Sequence, residues 1–324
     1  MNRVLVILLI FSPYFLRSQT FNRSFDFDGY IDEVASVIVT DSFYYFVGGS
    51  LLENSSDYIV ELTAFQLSKT GDLMDTFKLR NDSLRFGFLY NSDNLIIDGL
   101  GQIVIVSFYI STSNYDGALF SLDGDLDLVS LVNYPSDSAE VFASIMNLGN
   151  NNIIVGQTNS FGFGQADYYV AKVDQDGIIL SDTSFGGTEF EQIGNAVQIG
   201  PDRFILCGQT ASYAGVREFY GVPAANAHFM CIDTNFNLVW ENVLYTDGID
   251  WAPMVKENGY FYYLIEYPVG IELRDYELII GHWISTMETY CGKIQLKLKT
   301  KLAFLDLLRM LMTMVLSLCV MFID

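Results

Sequence analysis

A short turn motif recurs along this chain at nearly even spacing, and no other feature constrains the fold as strongly. An aliphatic residue, a few polar turn residues and a second aliphatic run occur at Leu67-Ser68-Lys69-Thr70-Gly71-Asp72-Leu73 and at Leu122-Asp123-Gly124-Asp125-Leu126. They occur again at Val173-Asp174-Gln175-Asp176-Gly177-Ile178 and around Asp233-Thr234-Asn235-Phe236-Asn237, and restart at Ile284-Ser285-Thr286. The starts at 67, 122, 173, 232 and 284 lie 51 to 59 residues apart. A fixed period of that size is the mark of a repeat architecture.

A second marker keeps the same beat. The apolar runs 43–47, 103–106, 153–155, 204–207 and 260–265 each follow a polar turn. They lead into Gly48-Gly49-Ser50, Ser107, Gly156-Gln157-Thr158, Gly208-Gln209-Thr210 and Glu266. Short apolar segments precede the turns, as at 34–39, 142–148 and 196–199. Tyr168-Tyr169-Val170-Ala171-Lys172-Val173 alternates with the period of two expected of a half-buried strand. Each unit thus reads strand, turn, strand, longer loop, strand, turn, strand.

Four strands in about fifty residues is the blade arithmetic of a β-propeller, whose blades must stack because one alone leaves apolar faces uncovered. The expected fold is all-β and propeller-like. It has four complete four-stranded blades at 21–78, 79–135, 136–187 and 188–245, and a partial fifth at 246–285 that lacks its outer strand. Composition agrees: 51% of residues are hydrophobic, and 20 Tyr and 25 Phe suit many short strands. The net charge of −22 and the lack of Lys/Arg clusters in the body exclude nucleic acid as a partner. Such acidity serves solubility, or supplies carboxylates for Ca²⁺ outside the cell.

The units resemble the repeats of secreted bacterial β-propeller proteins, whose loose pattern is D-x-[YF]-x-[VA]-K-[VL]-D-x-x-G-x-[LIV] followed by G-G-[ST]-x-x-[DE]. Here it reads Asp167-Tyr168-Tyr169-Val170-Ala171-Lys172-Val173-Asp174-Gln175-Asp176-Gly177-Ile178, then Gly186-Gly187-Thr188-Glu189-Phe190-Glu191. The match is good over 138–245 and weaker over 21–137, where the Lys and the second Gly-Gly are missing. The resemblance implies a secreted or cell-surface propeller, often with a C-terminal sorting domain, and no such domain is read here.

Both ends differ from the body. Residues 1–18 have the parts of a secretory signal: Arg3, an apolar run at 4–11 too short to span a membrane and followed by Pro13, and Leu16-Arg17-Ser18 before Gln19. Export is therefore expected. Residues 286–324 carry a net +2 and a single glycine, Gly292. One reading is a membrane anchor at 302–323. Asp306 and Arg309 oppose it, at about 2.5–3.5 kcal/mol each near the bilayer centre, as does the placement of the lysines on the outer side. A packed helix is a further reading.

The preferred reading is a frame slip near Thr286. Regrouping the codons one base back allows D-G-D-V-L-W-K-N, in register with Asn235-Phe236-Asn237-Leu238-Val239-Trp240-Glu241-Asn242. The same shift turns Met312-Thr313-Met314 into Asp, a variable residue and Gly. On this reading 286–324 is an aberrant tail.

The chemistry-bearing residues are sparse. His228 and His282 are the two histidines, neither in a metal-pair spacing, and His228 is expected to be a surface or satisfied core residue. No G-x-S-x-G elbow, C-x-x-C pair or P-loop occurs. Asp123, Asp125, Asp174 and Asp176 resemble the start of a Ca²⁺ loop, but the pattern fails after Asp174 and a hairpin turn accounts for them. Cys207 and Cys231 lie in strand-like runs and either form a disulfide or fill the core. Phe161-Gly162-Phe163-Gly164 is a loop that presents aromatics. The longest insertion, from Tyr213 to Pro223, is the favoured binding loop, with Tyr213, Arg217, Phe219 and Tyr220 as its contact residues. No catalytic residue, cofactor site or metal site is assigned. The expected function is an exported, non-catalytic surface or binding module for an extracellular protein or polysaccharide. The alternatives are a propeller-fold glycan hydrolase with acids around the central channel and a membrane-anchored receptor held by 302–323.

Overall fold

A computed structural model describes residues 23–27, 31–53, 58–80, 85–89, 92–110, 114–213, 218–219, 222–223, 225–244, 254–257, 260–268, 276–284 and 289–298. The proposed signal and the 302–323 segment lie outside these residues. The first sheet holds β1 (Ile31–Val39), β2 (Phe43–Glu53), β3 (Tyr58–Ser68) and β4 (Leu73–Leu79), paired antiparallel in that order. In the second, β5 (Arg85–Gly87) and β6 (Leu95–Ile97) both pair with β7 (Ile103–Ile110), followed by β8 (Tyr115–Leu122) and β9 (Leu128–Tyr134). The third is β10 (Glu140–Asn147), β11 (Asn151–Thr158), β12 (Asp167–Asp174) and β13 (Ile179–Phe185). The fourth begins with β14 (Glu191–Gln198) and β15 (Arg203–Thr210). A small ribbon of β16 (Glu218–Phe219) and β17 (Val222–Pro223) follows, and then β18 (Asn226–Asp233) and β19 (Leu238–Leu244) complete the sheet. The fifth is β20 (Met254–Glu257), β21 (Tyr260–Pro268), β22 (Tyr276–Ile284) and β23 (Thr289–Leu298).

The chain is all-β and propeller-like. Apolar runs fill the middle strands because both faces of an inner sheet are covered. Ile103 and Ile105 of β7 face the first sheet and pack with Val47, Leu62 and Phe120. Val104 and Val106, pointing the other way, pack with Phe142, Ile145 and Tyr169 of the third sheet. Tyr168 and Val170 then face Ile193, Leu206 and Met230 of the fourth. Outer strands are different: β4, β9 and β13 are largely exposed.

A partial fifth blade without an outer strand was expected, yet β23 pairs with β22 from Ile284↔Thr289 to Tyr276↔Leu298. The register even breaks between His282 and Trp283, matching the breaks at Gln66/Leu67, Ser121/Leu122, Lys172/Val173 and Cys231/Ile232. An outer strand is held mainly by its ladder of backbone bonds, so a segment of strand period such as Ile294-Gln295-Leu296-Lys297-Leu298 satisfies the position.

The near-identity of Gly156-Gln157-Thr158 and Gly208-Gln209-Thr210 has a local cause. The first strands bulge at Val34/Ser36, Phe142/Ser144 and Ile193/Asn195. Each bulge pushes a carbonyl against the second strand, where a Cβ on Gly48, Gly156 or Gly208 would overlap the oxygen of Glu33, Val141 or Gln192. In the second sheet the first strand is interrupted opposite this position, and Ser107 occupies it without conflict. That interruption has a use: residues 92–94 cross the first strands of the next two sheets. Ser92 Oγ donates to Gly194 O at 2.6 Å, Asn94 Nδ2 donates to Ala143 O at 2.5 Å, and Ile145 N donates to Asp93 O at 2.9 Å.

The first sheet's other face is covered differently. Phe25 and Phe27 pack on Phe65 at tilts of 42° and 39°, and Phe65 lies flat on Phe46 with centroids 4.7 Å apart. Val34 and Val37 remain 52% and 47% exposed, whereas their counterparts Phe142 and Ile145 are both 1% exposed.

Candidate functional site between the second and third sheets

The end of β9 and the start of β10 leave a cleft of about 410 Å³. Its walls are Tyr134, Phe142, Phe161 and Tyr169, with Ser136, Asp137, Glu140 and Ser160 among its polar lining. Phe142 and Tyr169 are nearly parallel with centroids 5.9 Å apart, and Tyr134 and Phe161 meet them edge-on. The tyrosines are fixed by their hydroxyls. Tyr134 donates to Gly177 O at 2.6 Å, and Tyr169 donates to Asp182 Oδ2 at 3.3 Å. Burial, and then the nearby charge of Asp174 or Asp182, pushes both phenols up, so they stay neutral donors.

Glu140 sits at the floor, 6% exposed. One oxygen accepts from Thr158 Oγ1 at 2.8 Å, and Oε2 has no partner. Thr158 Oγ1 also accepts from Ser160 N at 3.0 Å, starting the loop that carries Phe161. Phe161 is 44% exposed and Phe163 is 79% exposed, as expected of an aromatic-presenting loop. Apolar ring faces beside hydroxyl and carboxylate acceptors suit a ligand with both C–H surfaces and O–H donors.

One seam further on, the corresponding residues do something else. Glu191 is fully buried and accepts from Thr210 Oγ1 at 2.6 Å and Gly187 N at 2.9 Å. Asp167, 1% exposed, accepts from Phe163 N at 2.6 Å. Burial raises its carboxyl, the charge of Glu191 adds to that, and the amides of Phe163 and Gly164 offset part of it. These are the first and last acids of the repeat pattern quoted above, 24 residues apart in sequence, and across the seam an oxygen of each crowds the same point beside Gly186. Spacing alone carried no signal of that meeting. The signal was the return of an acid at both ends of the pattern.

Of the proposed contact residues, Tyr213 is 41% exposed and stands edge-on to His228 at 5.8 Å. Phe219 lies in β16 opposite Val222, while Arg217 and Tyr220 lie outside the described residues. The insertion therefore joins a buried pair: His228, fully buried, sits on the Tyr168 ring, with Nε2 2.8 Å from Glu241 Oε1. Glu241 is held low by His228, and Tyr213 adds a hydrogen bond. His228 is thus the satisfied core histidine at that nitrogen.

The turn carboxylates point inward. Asp123 Oδ1 accepts from the amides of Asp125 and Asp127, and Asp174 Oδ1 accepts from those of Asp176 and Ile178. Asp233 and Ser68 make the same pair of bonds. Among the described residues no three His, Cys, Asp or Glu side chains form a group that could hold a metal. Of the two readings of Cys207 and Cys231, the structure shows buried core residues that are not bridged to each other, with Cys207 Sγ donating to Asn195 O at 3.3 Å. Cys231 faces Ile205, and Cys207 faces Phe229. Diagonal neighbours of this kind lie about 7–8 Å apart, beyond the usual reach of a bridge.

No protein-family model matches the sequence, and no curated protein does either. Among solved structures, cobalt-substituted Synechocystis ACO is 11% identical with a TM-score of 0.47, covering 84% of this chain and 62% of that one. An ACO/RPE65 chimera is 12% identical at a TM-score of 0.45, with the same coverages. A subtype N11 neuraminidase-like protein of A/flat-faced bat/Peru/033/2010 (H18N11) is 9% identical at 0.42, covering 79% of this chain and 70% of that one. The chain spans about six-tenths of the ACO and ACO/RPE65 structures it matches.

Proposed function

We propose that the protein is an exported, non-catalytic propeller that binds an extracellular polysaccharide in the cleft walled by Tyr134, Phe142, Phe161 and Tyr169. The observation that carries this reading is the cleft itself: aromatic surface held open by hydrogen-bonded tyrosines, beside the acceptors of Ser136, Asp137 and Ser160. A sugar ring offers C–H faces to the rings and hydroxyls to the acceptors.

The hydrolase reading rests on one group. Asp93 is exposed, and partial desolvation by the surrounding strands raises its carboxyl, with the Asn195 hydrogen bond opposing. A panel of soluble polysaccharides, scored for both binding and reducing-end release, separates the readings. Binding that is lost in Phe161→Ala and kept in Asp93→Asn, without turnover, is the expected result. Turnover abolished by Asp93→Asn would overturn it.

A further inference from the structure

The cleft's Phe161 wall is held by a loop whose far end rests on Asp167. That carboxylate takes the amide of Phe163 on Oδ2, while Asn159 Nδ2 and Glu189 O clamp Gln165 by its carbonyl and amide at 2.6 and 2.8 Å. The opposite oxygen, Asp167 Oδ1, is buried and has no partner. It is directed at Glu191: a Cβ built on Gly186 would overlap both Asp167 Oδ1 and Glu191 Oε2, so the two oxygens converge on one point. Glu191 is anchored by Gly187 N and Thr210 Oγ1, so it is held in place there. Two carboxylates that meet inside a protein cannot both stay ionised cheaply, and one proton between them converts repulsion into a hydrogen bond.

We propose that Asp167 and Glu191 share a proton, and that its loss loosens the 159–165 loop and opens the Phe161 wall of the cleft. The inference rests on the cleft being the binding site only for its consequence. The latch itself stands on the seam. Its direction follows from linkage. Asp167 is raised in the folded protein, so the stability it adds is fully present below the ordinary carboxylate range and is lost as pH rises through the raised value. The groups around the pair are Tyr168 on β12, kept neutral by burial and by its neighbours Cys207 on β15, Glu191, Glu241 and Tyr213, and beyond that ring His228 on β18 and Glu241 on β19. Ligand held at low pH would then be released at higher pH.

The test uses the full chain with Phe161→Trp as a reporter, read by acrylamide quenching corrected for the existing tryptophans with the unsubstituted protein. Quenching at position 161 is expected to rise by roughly twofold or more from about pH 4 to about pH 8. Asp167→Asn supplies a permanent amide donor to Glu191, and in that background the response is expected to be flat. His228 and Glu241 are present in both proteins, so the difference between them isolates the latch. If Asp167→Asn does not fold, Glu191→Gln replaces the donor from the other side. The same pH response with and without the amide, or none in either, would overturn the proposal. Neither outcome depends on a sugar binding, so failure of the latch is distinguishable from failure of the cleft reading.

Discussion

At the residue scale, two hydroxyl–carboxylate pairs hold the ends of the first and second strands together. Thr158 serves Glu140 and Thr210 serves Glu191, both buried. Replacing either threonine by valine keeps the shape and strands a buried carboxylate oxygen, so Thr158→Val and Thr210→Val should each cost about 1–3 kcal/mol in urea unfolding. The turn glycines are equally specific. Gly177 has φ of 80°, and a Cβ there would meet Val132 Cγ2 at 2.9 Å. Gly177→Ala should therefore lower stability by about 1 kcal/mol or more. Leu126 and Phe236 take similar angles at the matching positions, and there the side chains pack against the core. Glu241 gives a pH dependence of the usual sign. Its carboxyl is held low, so its contribution is present above the ordinary value and fades as pH falls through the lowered one. Glu241→Gln should flatten the acid limb of thermal stability plotted against pH.

At the scale of the strand, the bulge decides which glycines are needed. Gly156→Ala and Gly208→Ala place a Cβ into a backbone carbonyl and should unfold at clearly lower urea than Ser107→Ala, which meets no such bulge. The cysteines follow from register. Cys207 and Cys231 are diagonal rather than opposed, so reducing agent should leave the melting temperature unchanged. Thiol titration should show both inert until the fourth sheet opens. The strands themselves were legible in sequence, because alternation and turn residues are local properties. The outer strand of the fifth sheet was not. Its position asks only for a backbone ladder, and residue types that break the repeat pattern can still satisfy it.

At the scale of the molecule, stability resides in the seams. Ile145 belongs to the core shared by the second and third sheets, and Ile145→Ala should cost about 2–5 kcal/mol. Val37, at the equivalent place on the first sheet, is about half exposed, so Val37→Ala should cost under about 1 kcal/mol. The pair of measurements tests whether the outer face of the first sheet carries less of the stability than the seams between the inner sheets.

The repeat period, the order of strands and the covering of both faces of each inner sheet followed from the sequence alone, because each depends on spacing and side-chain period within a few dozen residues. The candidate site did not. Tyr134 and Phe161 come from different repeats, Asp167 and Glu191 from opposite ends of one pattern, and Ser92 reaches Gly194 across an entire sheet. The favoured insertion gave one useful residue, Tyr213, and that residue braces a buried histidine. Which side chains converge is fixed by the rotation from one sheet to the next, and rotation is a property of the packed seams.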